Sequence, residues 1–148
     1  MAGDYFALQA FIMERIRQTN IEGLGMVHSA RDLELLKDGR VADGAVYVLY
    51  DGESIPDGDD YQAGPFQIVR QYWLVVLVTK NYATPAQGDR ERAGPLLWSI
   101  NERLQGWVPA PGYGELTKSS PPRPSYLEKN AFYPLRYVSA ITTKGCNS

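Results

Sequence analysis

The stretch Phe66–Lys80, FQIVRQYWLVVLVTK, contains the strongest structural signal in the chain. β-Branched and aromatic residues dominate it, which is typical of a β-strand. Residues 72–78 are apolar or aromatic at every position, so they are predicted to form a central strand covered on both faces. Polar residues interrupt the first half at Gln67, Arg70 and Gln71. That half is predicted to be half exposed and to project past the sheet as an arm.

Two further segments fit strands that pair with this one. Residues 45–50, AVYVLY, end at an Asp-Gly pair, which is typical of a strand followed by a turn. Because they lie next to the central strand in the chain, the two are predicted to form an antiparallel hairpin. Residues 132–143 are predicted to form a final strand that pairs with the hairpin and places Tyr133, Leu135, Tyr137 and Ser139 on one face. Residues 24–28 fit a short edge strand.

Helical periodicity appears on both sides of these strands. The first predicted helix has Asp4 as its N-cap and Tyr5, Leu8, Ile12 and Ile16 on one face, with stop signals at Asn20 and Gly23. The second runs from residue 87 or 89 to Leu104, with an apolar stripe of Ala93, Leu97, Ile100 and Leu104, and Leu96 beside it.

Pro95 leaves two alternatives for the second helix, because proline is disfavoured inside a helix but tolerated in its first turn. Either the regular helix begins near Gly94-Pro95, which is preferred, or residues 88–94 form a looser first turn. Residues 29–32, SARD, resemble a capping box and predict a short helix through Leu36.

This element order predicts an α+β fold, a single, mostly antiparallel sheet with helices packed on it. A length of 148 residues predicts one domain, 1–148. Within it we expect an acidic hairpin loop at 51–64, a long Pro-rich loop at 108–125 and a flexible tail at 144–148. A loop as long as 108–125 is usually functional or disordered.

Composition excludes several classes of protein. The net charge of −2 and the pI near 5.4 argue against a nucleic-acid-binding protein. No apolar run reaches the roughly 18 residues of a membrane span, and the N-terminus lacks the basic region of a signal peptide. Cys146 is the single cysteine, so an internal disulfide is impossible. We therefore expect a protein that is soluble, intracellular or part of an assembly.

The residues do not predict catalysis. His28 is the single histidine and has no second ligand nearby, so a structural role is expected for it and no metal is implied. Ser29 adjoins it without an orienting carboxylate, and neither phosphate-binding loops nor a calcium-loop spacing is present. The chain is predicted not to be an enzyme and to use no cofactor or metal.

Protein–protein contact is the remaining interpretation. Ten tyrosines and three tryptophans are many for this length, and both residue types are enriched at interfaces, although Trp73 and Trp98 are predicted to lie in the core. The loop at 51–64 is rich in acids and contains no basic residue, so it predicts a solvated negative surface. The Pro-rich loop is a candidate arm that reaches a neighbouring molecule.

Several short motifs, taken in order, resemble a known family. They are VHSARDL at 27–33, VYVLY at 46–50, QYWLVVLV at 71–78, RAGPLL at 92–97, GWVP at 106–109 and YPLRY at 133–137. Together they resemble the Mu-type minor tail proteins of tailed bacteriophages, relatives of the tail terminators of long-tailed phages. The resemblance extends from the first helix to the last strand, and its motifs mark structure, not chemistry.

The resemblance implies a subunit of a homohexameric ring on the head-proximal end of the phage tail tube. Such a ring stops tube polymerisation and provides the surface that joins the head. It implies as partners a second copy, the tail tube protein and a head–tail connector or neck protein, with non-specific passage of genomic DNA and no membrane. The location implied is the virion tail, assembled in the host cytoplasm.

Because the family has no catalytic residues to transfer, only interaction residues are predicted. Charge suggests that Asp57, Asp59 and Asp60 face the lumen or the tail-tube subunit. Loop length and aromatic content place the segment from Trp107 to Tyr126, with Tyr113 and Arg123, at a subunit or tail contact. The alternatives are a neck or tail-completion protein, or a small ligand-binding or enzymatic α+β domain with a pocket under the Pro-rich loop.

Overall fold

The computed structural model describes residues 3–31, 42–80, 86–127 and 130–145, with the backbone alone for Asp59 and residues 86–90. These ranges contain two helices, α1 (Ala7–Gln18) and α2 (Ala86–Leu104). Their strands are β1 (Val27–Ser29), β2 (Val46–Ser54), β3 (Gln62–Ala63), β4 (Phe66–Lys80), β5 (Thr117–Ser119), β6 (Ser125–Leu127) and β7 (Asn130–Lys144). The predicted α+β fold is confirmed, since the strands form one mostly antiparallel sheet on which both helices pack.

The strand order is β1-β2-β4-β7-β5, with β3 also paired to β4 and β6 also paired to β7. β4 lies at the centre and has the bounds that its sequence predicts. It pairs with β7 along its whole length, from Phe66 opposite Lys144 to Lys80 opposite Asn130. The β2–β4 hairpin and the pairing of the final strand are therefore confirmed. The edge strand β1 begins a few residues later than predicted and runs parallel to β2.

Both helices cover the same face of the sheet. The core there includes Trp73, Val75 and Leu77 of β4, which alternate along the strand as one face requires. The predicted helix faces are confirmed for Leu8, Ile12 and Ile16 of α1 and for Ala93, Leu96, Ile100 and Leu104 of α2, which are buried. Leu97 is only half-buried, and Tyr5 precedes α1 and is 41% exposed.

The opposite face of the sheet also has buried residues at its centre. Leu49, Leu74, Val76, Val78 and Phe132 form a second cluster. The prediction that residues 72–78 are covered on both faces is thus confirmed for Leu74 to Val78, while Tyr72 is half-buried. Towards Phe66 the strand becomes more exposed, as predicted. The prediction that this half projects past the sheet is wrong, because it pairs with β7 and β3 up to Phe66 and remains part of the sheet.

Two helix starts differ from the predictions. α2 begins at Ala86 and contains Pro95, so the preferred start near Gly94-Pro95 is wrong. A proline removes only one backbone hydrogen bond, and the turn before it is held by Ala93, which is fully buried in the core. α1 has Phe6 at its N-cap position, and the Asp4 Oδ1 accepts from the Phe6 N–H at 2.9 Å just ahead of the helix.

Both predicted loops are more ordered than expected. β2 continues to Ser54 through a bulge at Gly52, where φ is +89°, so only the second half of 51–64 connects the hairpin. Within 108–125, β5 pairs with β7, Tyr113 bridges to Ile141, and Leu116 is fully buried. Local composition could not reveal this, because the pairing partner lies about 20 residues further along the chain.

The buried position predicted for Trp98 is wrong, since this side chain is 71% exposed on α2. Trp73, by contrast, is fully buried as predicted. The predicted capping box at 29–32, the short helix through Leu36 and Cys146 lie wholly or partly outside the described residues. Neither described helix has the length and apolarity needed to cross a membrane.

Candidate functional site

The acidic loop lies at the tip of the arm that β2, β4 and β7 form beyond the helices. Asp57 and Asp60 are exposed, on either side of Gly58, whose φ of +115° permits the turn. The Asp59 backbone belongs to a 3₁₀ turn, Asp59–Tyr61. Ile55 is 58% exposed and Phe66 is 44% exposed beside these acids. The tip therefore presents carboxylates together with apolar side chains.

The predicted residues of the Pro-rich segment divide into two groups. Trp107 and Tyr113 are half-buried and pack against the helix-side core, where the Arg15 guanidinium lies 5.2 Å from the Trp107 ring. Arg123 is exposed, and Tyr126 is 51% exposed with its ring edge against Tyr133. Only the second group is free to contact another molecule through most of its surface.

The structure does not bring the acidic loop and the Pro-rich residues into one site. No hydrogen bond, ion pair or ring contact joins Asp57 or Asp60 to Trp107, Tyr113, Arg123 or Tyr126 within the described ranges. They are two separate candidate surfaces, one at the tip of the arm and one along the β5–β6 edge.

An ion pair and ring contacts stiffen the arm on the face opposite the helices. Arg136 Nε donates to Asp51 Oδ2 at 2.9 Å, and its guanidinium lies 4.3 Å from the Tyr72 ring. Arg70 lies over Tyr61 at 5.8 Å. These pairs cross between strands, so the sequence showed no signal for them.

On the face of the sheet that the helices cover, hydrogen bonds join the segment before α1 to β2 and β4. Glu53 Oε1 accepts from the Tyr5 hydroxyl at 2.6 Å and from the Tyr50 hydroxyl at 2.7 Å. Gln71 Nε2 donates to the Tyr5 carbonyl at 2.8 Å. The Tyr5 hydroxyl, followed by that of Tyr50, holds the pKa of Glu53 below its usual value, while the same hydrogen bond raises the pKa of Tyr5 to about 12.

Replacing Glu53 with Gln is expected to lower stability slightly near neutral pH, by about 1 kcal/mol or less because the carboxylate is exposed and screened. Because the pKa of Glu53 is lower in the folded than in the unfolded chain, the ionised carboxylate stabilises the fold at pH values above the unfolded pKa near 4.5. This stabilisation is lost as the pH falls through the pKa of the folded state. Urea midpoints of the wild type and E53Q should therefore converge in acid. The control is Glu115→Gln, which replaces another exposed acid. A difference in urea midpoint between the wild type and E53Q that stays constant at all pH values would contradict a role for Glu53 ionisation.

A cleft of about 630 Å³ lies beside the Pro-rich segment, where the ligand-binding alternative predicted a pocket. Its walls are residues 3–5, 111–113 and 141–144, and Asp4 and Lys144 are its charged side chains. His28 is not among the described residues that line it. His28 instead stacks on Tyr47, with ring centroids 5.4 Å apart. The described residues contain no cluster of three or more acid, histidine or cysteine side chains suited to a metal ion.

Comparison with known proteins identifies the family. Residues 1–145 match the family model for the phage tail terminator protein. A solved chain from the virion of a native gene transfer agent particle has the same fold, with a TM-score of 0.59 at 16% identity over 92% of this chain and 95% of that chain. The comparison with curated proteins found no match. Matched over nearly its whole length, the chain belongs to the phage tail terminator family and is a structural protein of the virion tail.

Proposed function

We propose that this chain forms a homohexameric ring on the head-proximal end of the tail tube, where it stops tube polymerisation and provides the surface that joins the head. The observation that supports this most directly is the family match over residues 1–145. The partners are further copies of the chain, the tail tube protein and a head–tail connector or neck protein. The role is structural and not enzymatic.

Genomic DNA passes through the ring without sequence recognition. Binding to the phosphate backbone requires lysines and arginines that displace counterions, and a surface without their excess avoids retaining the DNA. The net charge of −2 is compatible with this role. The acidic arm tip faces the lumen or the tail tube, and the β5–β6 edge, with Arg123 and Tyr126 exposed, lies at a subunit or tail contact.

Replacing Asp57 and Asp60 with Asn is expected to impair tail assembly or DNA passage without loss of the fold, because both side chains are exposed. Charges at an interface rim act mainly on association rate and its salt dependence, so the defect should be largest at low salt. Phage titre and the yield of joined particles measure it. The control is Glu22→Gln with Glu115→Gln, which removes the same charge elsewhere; equal titres for both variants would exclude a special role for the tip.

Electron microscopy of lysates from a phage that cannot make this chain tests the proposed function. Overlong tails without heads are expected, since nothing would then stop tube growth. Tails of normal length beside unattached heads would instead assign the chain to joining or tail completion. Intact virions would contradict any required role in the tail.

A further inference from the structure

Residues 120–124, SPPRP, form an exposed bulge on the β5–β6 edge. β5 ends with Ser119 opposite Arg136 of β7. β6 begins with Ser125 opposite Phe132 of the same strand, so the five residues of the bulge face only three residues of β7. The prolines of the bulge also lack the N–H that pairing requires. The segment therefore cannot follow β7 and protrudes from the sheet edge.

The sequence of the bulge fixes its backbone in an extended form. Proline holds its own φ at about −65° and drives the residue before it to the β or polyproline II region. Every position of the bulge is a proline or precedes one. Pro121 and Pro124 have the spacing PxxP, which aromatic-lined grooves recognise because a segment already in the polyproline II form loses little entropy on binding.

The aromatic cleft, the cavity of about 630 Å³ lined by residues 3–5, 111–113 and 141–144, has the features of such a groove. Tyr5 and Tyr113 lie in its lining, on either side of its opening to solvent, and two more exposed rings extend this surface. Phe6 meets Tyr5 edge-on at 5.4 Å, and Phe11 meets Tyr113 edge-on at 5.7 Å. The cleft thus offers the aromatic lining that a PxxP segment needs.

A subunit cannot place its own bulge in its own aromatic cleft. The bulge lies opposite residues 133–135 of β7, whereas the cleft reaches residues 141–144 of that strand. The two are about eight residues apart, or roughly 27 Å at about 3.4 Å per residue. The pairing of β5 and β6 with β7 holds both ends of the bulge in place. A PxxP segment that fills the cleft must therefore come from another molecule.

Charge favours the bulge of a second copy as this occupant. Residues 117–127 contain Lys118 and Arg123 and no acid. Arg123 is exposed and has neither an ion pair nor a hydrogen bond to the described residues. In the cleft, Asp4 Oδ1 accepts from the Phe6 N–H, and no described cation pairs with this carboxylate. The guanidinium on the bulge and the carboxylate in the cleft are therefore complementary.

The other charges around the aromatic cleft do not oppose this pairing. Glu53, whose carboxylate accepts from the Tyr5 hydroxyl at 2.6 Å, adds negative charge on the side of Asp4. Lys144 is the basic residue of the lining. Successive residues of a strand point to opposite faces, and Tyr137 packs on the helix side of β7. Lys144 therefore points to the other face of the sheet, away from α1 and from Asp4.

We propose that the 120–124 bulge of one subunit docks into the aromatic cleft of the next copy in the ring, an inference that rests on the proposed ring function. The two outer prolines pack against the rings of Tyr5 and Tyr113. Arg123 pairs with Asp4 at the same wall of the cleft. Because the bulge and the cleft lie at different places on one molecule, the contact is head-to-tail and closes into a ring when the rotation permits.

Site-directed crosslinking in purified tails tests the position of the bulge. Ser120→Cys and Gly3→Cys are introduced together in a Cys146→Ser chain, and a short bismaleimide is added. Both positions are exposed, and a Cβ at Gly3 would meet nothing within 4 Å. A ladder of crosslinked multimers that ends at the full ring is expected. The matched control pairs Ser120→Cys with Glu22→Cys, which is exposed but not part of the cleft lining and should give no ladder.

A charge reversal tests the pairing of Arg123 with Asp4. Arg123→Glu and Asp4→Lys each place like charges across the interface, so each is expected to lower phage titre by about tenfold or more. Both side chains are exposed, so the fold should persist, as circular dichroism can verify. The two reversals combined restore opposite charges and should recover most of the titre. A double variant no better than the single variants would overturn the inference.

The outcomes separate this inference from the proposed function. Tails of normal length that contain the Ser120→Cys, Gly3→Cys chain but give no ladder would overturn the docking and leave the terminator role standing. Tails that contain no copy of this chain would overturn both. Crosslinks that form only with a different tail protein would overturn the second copy as the occupant.

Discussion

Replacing Trp73 with Ala is expected to lower the free energy of unfolding by about 3–5 kcal/mol, the usual cost of truncating a buried aromatic side chain. Trp73 is fully buried at the centre of the sheet, and its ring meets that of Tyr50 edge-on at 5.2 Å. It packs in the core that both helices share, so its loss leaves a cavity under the helix layer. Urea unfolding followed by circular dichroism measures the change.

Trp73→Phe is the informative control. The Trp73 Nε1 is buried without a hydrogen-bond partner in the described structure. An unsatisfied buried donor costs roughly 1–3 kcal/mol, and phenylalanine removes it while keeping most of the ring. The loss of stability should therefore be well under half of that for Trp73→Ala. Equal losses for the two variants would show that the indole N–H is needed and would contradict this account.

Sequence predicted those parts of the fold that depend on local pattern. The bounds of β4 could be read because an apolar run with β-branched residues is set by burial on both faces. The faces of α1 and α2 followed from helical spacing. The outer bound predicted for α2, residue 87, lies one residue from its observed start at Ala86. The preferred start near Gly94-Pro95 was wrong because the cost of Pro95 is local, whereas the gain from burying Ala93 comes from the tertiary core. β5 was missed because a short strand is defined by its partner.

The candidate surfaces were harder to predict, for a related reason. The contact between Tyr5 and Glu53 spans 48 residues of sequence, and no spacing rule connects them. Trp98 could have been placed correctly, since the helical wheel sets it well away from Ala93, Ile100 and Leu104. Its apolar character suggested burial instead. The position of a tryptophan on its helix therefore predicts burial better than its apolar character does.

Replacing Gly44 with Ala is expected to destabilise the fold by about 1–3 kcal/mol, the cost of holding a residue in a disfavoured backbone region. Gly44 has a φ of +77°, and an added Cβ would lie 3.1 Å from the Gly23 carbonyl oxygen. Its carbonyl accepts from the Gly25 N–H at 2.8 Å, while its own N–H donates to the Val78 carbonyl at 2.8 Å. One residue thus joins the α1–β1 connection, the start of β2 and the end of β4.

Gly52→Ala separates strain from crowding, because Gly52 also has a positive φ, +89°, but nothing within 4 Å of an added Cβ. Gly44→Ala should lower the free energy of unfolding more than Gly52→Ala does. The difference measures the cost of crowding the Gly23 backbone, which lies close to Gly44. Equal losses in urea unfolding would show that strain alone acts at Gly44.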